Sequence, residues 1–233
     1  MRSEIEDFKH TSHQLGVKLL QIFARHFGLE NDYFSKAHDD LEGPGSALRM
    51  LHYPVLPEQP DKSVPRLYEH TDWGSLTFVW PQSGGLEIET PSKQWIPVPL
   101  VPGGVVVNIG DCLSLWSGKV LKSTLHKINF DALPIDQERW SMAYFVNANN
   151  DAKLEVLSSE ARSASVQDFS EVLTMHHYAQ ARIYMSQALD AKNNWLASDT
   201  RDLKPIMKVV DVIEQLGIAN GNGALNVMKS VAA

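Results

Sequence analysis

Between Ala47 and Asn147 the sequence breaks into a series of short segments: "ALRMLHYPV", "RLYEHTD", "SLTFVW", "GLEIE", "QWIPVPL", "GVVVNIG", "CLSLW", "STLHKINF" and "RWSMAYFVN". Each is rich in β-branched or aromatic residues and is bounded by Gly, Pro, Asn or Asp. Runs of this texture, separated by turn residues, read as strands. No stretch of helical period interrupts them, which argues against a parallel sheet built from βαβ units. The expected core is therefore a sandwich, barrel or jelly roll.

The flanks have a different texture. Ser3 and Glu6 have the spacing of a capping box. Ile5, Phe8, Leu15, Leu19, Ile22, Phe23 and Phe27 then recur mostly at helical steps, and Gly28 is a C-terminal stop. "ENDYFSKAHDD" reads as a short second helix capped by Asn31, and "EGPGS" as a break. After Asp151, "VQDFSEVLTMHHYAQARIYMSQAL" and "LKPIMKVVDVIEQLG" read as helices, and "IANGNGALNVMKSVAA" is a weakly patterned tail. The expected organisation is one domain: helices over 1–45, a β-core over 46–150, and helices and tail over 151–233.

Composition narrows the function classes. The 233 residues suffice for a sizeable core, and 43% hydrophobic with 21% charged residues is a globular balance. A formal net charge of -7 without a Lys/Arg cluster argues against nucleic acid. No apolar run reaches membrane-spanning length, and "MRSEIEDFKH" is too acidic for a secretory or transit peptide. The single cysteine, Cys112, permits no internal disulfide and fits a reducing cytoplasm.

Chemistry concentrates in three places. His70 and Asp72 are two apart in an extended run, so both side chains leave one face. Alone, this H-x-D is a weak motif and more often an ordinary histidine–carboxylate pair than a metal site. His126, in "KSTLHKINF", lacks a local polar partner and supplies a third group. Two histidines and a carboxylate on adjoining strands can occupy one face of a metal octahedron and leave the other open, as in non-haem Fe(II) oxygenases. A structural zinc would call for more cysteines. Arg139 and Ser141, in "ERWSMAYF", also share a strand face; the guanidinium fork suits a carboxylate there, from a ligand or from an acidic residue of the chain. Cys112, Trp73 and Trp95 read as packing residues, with Trp73 near enough to the histidines to touch substrate. His176 and His177 are consecutive on a helix and point apart. "GNGALN" lacks the strand and helix that a phosphate loop requires.

The order "HTDWGSLTF", "GGLEIE", "WIPVPLVPGGVVVNIGDCLSLWSGKVLKSTLHKI" and "RWSMAYF" resembles the iron- and 2-oxoglutarate-dependent dioxygenases of the isopenicillin N synthase-like family, from Ala47 to Asn147. "GVKLLQIFARHFGLENDYF" resembles the helix that precedes the barrel. The resemblance implies a mainly β protein with flanking helices, a double-stranded β-helix or jelly roll. It implies that His70, Asp72 and His126 bind Fe(II), and that Arg139 and Ser141 hold the distal carboxylate of 2-oxoglutarate. Tyr53, in "LHYP", would help to bind the same cosubstrate, Leu51 replaces an asparagine common in the family, and Phe145 would face the substrate.

The implied function is dioxygenation, with O2, of a small organic metabolite of the secondary-metabolism kind: hydroxylation, desaturation or cyclisation, with release of succinate and CO2 and ascorbate as a candidate reductant. The alternatives are a related Fe(II) oxidase that does not use 2-oxoglutarate, and a non-catalytic or truncated dioxygenase-like binding protein. The last arises because family members usually carry an N-terminal segment, with a strand that joins the main sheet, ahead of the equivalent of Met1. Without it, a homodimer or partner is expected to cover the exposed sheet edge.

Overall fold

The middle of the chain forms the short strands that its β-branched and aromatic segments predict. The computed structural model describes residues 2–38, 46–58, 65–129, 136–155, 157, 173–188 and 204–215. The strands are β1 (Ala47–Tyr53), β2 (Leu67–His70), β3 (Leu76–Pro81), β4 (Leu86–Glu89), β5 (Trp95–Pro97), β6 (Val106–Ile109), β7 (His126–Ile128) and β8 (Arg139–Val146). They form two four-stranded sheets, ordered β1-β8-β3-β6 and β2-β7-β4-β5. Every pairing is antiparallel. The chain crosses repeatedly from one sheet to the other, as a jelly roll requires. Leu86 and Ile128 are buried, with Tyr53, Leu67, Val98 and Val106 packed against them.

Helix α1 (Arg2–His26) buries Ser12, His13, Gly16, Leu20 and Ala24. This corrects the apolar face expected from sequence: Leu15 and Ile22 are 37% and 48% exposed. The small residues win because they let the helix backbone approach the sheet. A Cβ at Gly16 would stand 3.0 Å from the Val146 side chain on β8. Ser3 lies inside the helix rather than capping it, and Glu6 accepts a 2.9 Å bond from Arg2 Nε. Residues 31–38 form turns and a 3-10 turn (Ser35–His38) instead of a helix capped at Asn31. His38, fully buried there, bonds the Phe34 carbonyl and Ser75 Oγ, each at 2.8 Å. Of "EGPGS", only Ser46 falls within the described residues.

"CLSLW" is the clearest departure from expectation. It belongs to helix α2 (Asp111–Trp116), which interrupts the strand series between β6 and β7. Its alternation looks strand-like, but every residue from Asp111 to Ser117 is buried, so alternation carries no facial information. Gly110 makes the entry: a side chain there would collide with the Gly74 carbonyl. Asp111 N then donates to Asp72 O at 2.8 Å, and Ser114 N to Gly110 O at 3.0 Å.

The chain divides into two compact units, Met1–Ser114 with Leu121–Ala148, and Leu115–Val120 with Asn149–Ala233. The second contains α3 (Met175–Ala188) and α4 (Lys204–Gln215). Thr174 precedes α3, and its hydroxyl accepts from His177 N at 3.4 Å. Tyr178, Ala181 and Tyr184 on α3 are buried, as are Val209, Val210 and Ile213 on α4. Both helices lie within the segments expected to be helical, but Leu173 and Thr174 stand before α3, Thr174 in a bridge with Lys153; residues 166–172, 189, 203, 216–217 and the tail 218–233 lie outside the described residues. Among the described residues no helix is long and apolar enough to cross a membrane.

Candidate metal centre

His70 ends β2 and His126 opens β7, and the two are register partners. Their ring centroids are 4.3 Å apart. Each ring is held through Nδ1 by the backbone carbonyl two residues earlier: His70 by Tyr68 O at 2.8 Å, His126 by Thr124 O at 3.1 Å. A carbonyl can only accept, so Nδ1 carries the proton and the Nε2 lone pair is left for a ligand. Asp72 follows β2 and is nearly buried. Its Oδ2 accepts a 3.1 Å bond from Asn108 Nδ2, and its Oδ1 lies 3.7 Å from His126 Nε2. Asp111 pins the turn twice, through its backbone N on Asp72 O and through Oδ2, which accepts from Thr71 Oγ1 at 2.8 Å.

One ligand atom from each of His70, Asp72 and His126 lies within 4.8 Å of the others, close enough for one ion to reach all three. Burial, and then the neighbouring His126, hold the His70 pKa below the usual histidine range. Neutral imidazole is the form that binds metal. Two nitrogens and one carboxylate oxygen, with no thiolate, fit Fe(II) with open positions better than a closed zinc site. Cys112 is no competitor: it is fully buried, and burial pushes its thiol up to about 12.

Between the two sheets lies a cavity of about 160 Å³. His70, Asp72 and His126 line it, as do Tyr53, Arg139, Ser141 and Phe145. Arg139 faces Tyr53 in register and is only 1% exposed. Its Nε donates to Gly84 O at 2.9 Å, its Nη1 to Ser141 Oγ at 3.1 Å, and its guanidinium carbon stands 5.3 Å from the Tyr53 ring centre. Burial lowers the Arg139 pKa and raises that of Tyr53. Among the described residues Arg139 forms no ion pair. A buried cation without a counter-charge costs several kcal/mol, on the order of 3. An anionic ligand would offset that cost.

Trp73 is absent from the cavity lining; its carbonyl accepts from Cys112 N at 3.2 Å. Leu51 does line the cavity, where it has no hydrogen bond to give. Sequence reasoning missed four residues. Asn108 orients Asp72, and its signal is one polar side chain in an apolar strand. Arg49 is related to Tyr53 by two steps of strand alternation, so both line the cavity. Thr77 lines it too, but nothing in "SLTFVW" marks it out. Gly84 holds Arg139 with a carbonyl, which no side-chain pattern can reveal.

Comparison with known proteins places this geometry. The family model described as the 2OG-Fe(II) oxygenase superfamily matches residues 44–148. The proline hydroxylase buaE of Petromyces alliaceus is 30% identical over 193 residues, which are 78% of this chain and 59% of the relative. The 2-oxoglutarate-dependent dioxygenase iboH of Amanita muscaria is 32% identical over 163 residues, 68% of this chain and 78% of the relative. The crystal structure of a full-length Neurospora crassa protein in complex with alpha-KG superposes with a TM-score of 0.66 at 29% identity, covering 78% of this chain and 57% of that one. Of several curated relatives the chain spans only 41–59% of the length. Since β1 to β8 all fall within the span of the family model, and a dioxygenase of the same kind is matched over 78% of its length, this chain belongs to the 2OG-Fe(II) oxygenase superfamily.

Proposed function

We propose that this chain carries the core of an Fe(II)- and 2-oxoglutarate-dependent dioxygenase that oxidises a small organic metabolite and releases succinate and CO2. One observation carries the reading: a buried arginine, with no ion pair among the described residues, shares a cavity with a His–Asp–His cluster. 2-Oxoglutarate has a keto acid at one end and a second carboxylate at the other, which matches those two features. When bound, iron would activate O2 and couple oxidative decarboxylation of the keto acid to oxidation of the substrate.

The chain's own residues set the geometry. His70 and His126 offer Nε2 because backbone carbonyls fix their Nδ1–H groups. Asp72 offers Oδ1 because Asn108 engages Oδ2. Arg139 and Ser141 take the distal carboxylate, with the Tyr53 ring against the guanidinium. Leu51, Val79, Leu86 and Ile128 supply apolar walls that limit water. The relative named a proline hydroxylase supports a small-molecule substrate. A cytoplasmic setting, ascorbate as reductant, and a second copy or partner on β1, which ends its sheet, complete the reading.

The test is succinate formation from 2-oxoglutarate in the presence of Fe(II) and O2. The expected result is measurable turnover, uncoupled or substrate-driven, that Asp72→Ala abolishes. Undiminished turnover in Asp72→Ala would remove the reading.

A further inference from the structure

His38 is a fully buried titratable side chain that the dioxygenase reading leaves unused. It ends the 3-10 turn Ser35–His38, one turn after Phe34, which is itself fully buried and packed edge-on against Phe27 with ring centroids 6.2 Å apart. The His38 ring lies between two partners. Its Nδ1 donates to the Phe34 carbonyl at 2.8 Å, since a carbonyl only accepts. In the neutral ring Nε2 is then the acceptor, and Ser75 Oγ donates to it at 2.8 Å. Ser75 is fully buried too, and its oxygen also lies 3.9 Å from Sγ of Cys112 on α2.

Ser75 closes the segment that Asp72 opens. The carbonyls of residues 72–75 all accept from one short stretch of chain: Asp72 O from Asp111 N at 2.8 Å, Trp73 O and Gly74 O from Cys112 N at 3.2 Å each, and Ser75 O from Gly110 N at 3.0 Å. Gly74 and Gly110 meet with no room for a Cβ, so backbone rests on backbone and no side chain interlocks the two stretches at that point. The bond from Ser75 to His38 ties this backbone-held unit to the turn after α1, 37 residues earlier in the chain. Asp72, at the other end of the segment, lines the cavity with the histidines. A metal ligand works only when its support holds it to within about 0.5 Å of the required geometry.

We propose that His38 is a positioning residue for the metal centre: through Ser75 it fixes residues 72–75, and with them the place and direction of the Asp72 carboxylate. This rests on the reading of His70, Asp72 and His126 as metal ligands. A histidine that only filled the core would stabilise the fold and leave the affinity of the cluster for metal untouched. Gln is the conservative replacement, because its Oε1 can take the place of Nε2 and accept from Ser75. Leu keeps bulk at the site but leaves the Ser75 hydroxyl without that acceptor. Ser75→Ala breaks the bridge while His38 still fills the core.

The experiment measures native-state amide exchange in the metal-free protein, and Co(II) affinity by competition with a chelator, for the unaltered chain, His38→Leu, His38→Gln and Ser75→Ala. In His38→Leu and Ser75→Ala the amides of Asp111 and Cys112 are expected to exchange about tenfold faster relative to those of β3. Co(II) affinity is expected to fall about fivefold in both, less than when a direct partner of the ligand is removed. His38→Gln restores exchange and affinity together. Faster exchange spread evenly over β3 and residues 110–112 would mean general destabilisation and would overturn the proposal. Unchanged Co(II) affinity in both variants that break the bridge would overturn it as well. If the unaltered protein binds no Co(II), the metal reading falls, and the exchange comparison alone decides whether His38 fixes the segment.

Discussion

Arg139 and Arg49 line one cavity from two paired strands, yet they live in opposite solvents. Arg139 is 1% exposed and held by Gly84 O and Ser141 Oγ. Arg49 is exposed and rests on Phe145. A fixed, desolvated cation costs stability while it has no counter-charge and would in return recognise an anion strongly. The exposed cation costs little and discriminates weakly. The contrast separates a desolvated cation, suited to recognising one anion strongly, from a solvent-exposed one, suited to weak discrimination.

The largest expected effect breaks the buried side of this comparison. Arg139→Met should weaken 2-oxoglutarate binding about a hundredfold, because the anion would enter a buried site without its charge partner. The same change should leave the urea midpoint of the metal-free protein no lower, since an unpaired buried charge is replaced by an apolar side chain. A clear loss of stability would mean that Arg139 is a structural residue. Asn108→Ala acts on the His–Asp–His cluster that lines the same cavity. By releasing Asp72 Oδ2 it should weaken Co(II) or Fe(II) binding about tenfold, as measured by competition with a chelator. The smallest effect is expected at Cys112, which belongs to neither side. Its thiol is fully buried and pushed up to about 12, so it stays protonated and unreactive. Iodoacetamide near pH 8 should leave it unmodified in the native protein, and mass spectrometry would show any exception.

The part of this picture legible in the sequence is the part that strand alternation controls. Period two puts Arg139 and Ser141 on one face, and it carries His70 and Asp72 to the same cavity although Asp72 lies just past β2. The same rule extends from Tyr53 to Arg49, a step that follows from "ALRMLHY" once Tyr53 is assigned. Helix α2 is not legible, because an apolar run buried on every side has no facial period. The buried face of α1 departs from the apolar periodicity because close approach to Val146 on β8 favours Gly16 over a larger residue. Thr77 and the Gly84 carbonyl emerge only from register and backbone position, which no local pattern encodes.

In the proposed function the His–Asp–His cluster and Arg139 grip opposite ends of a single 2-oxoglutarate. The direct measurement is an anaerobic titration of 2-oxoglutarate into the Fe(II) protein and its Arg139→Met variant, followed by the metal-to-ligand charge-transfer band. The predicted result is a saturable band in the unaltered protein and the same band in the variant at about a hundredfold higher concentration. No band in the unaltered protein, or identical midpoints in the two, would contradict it.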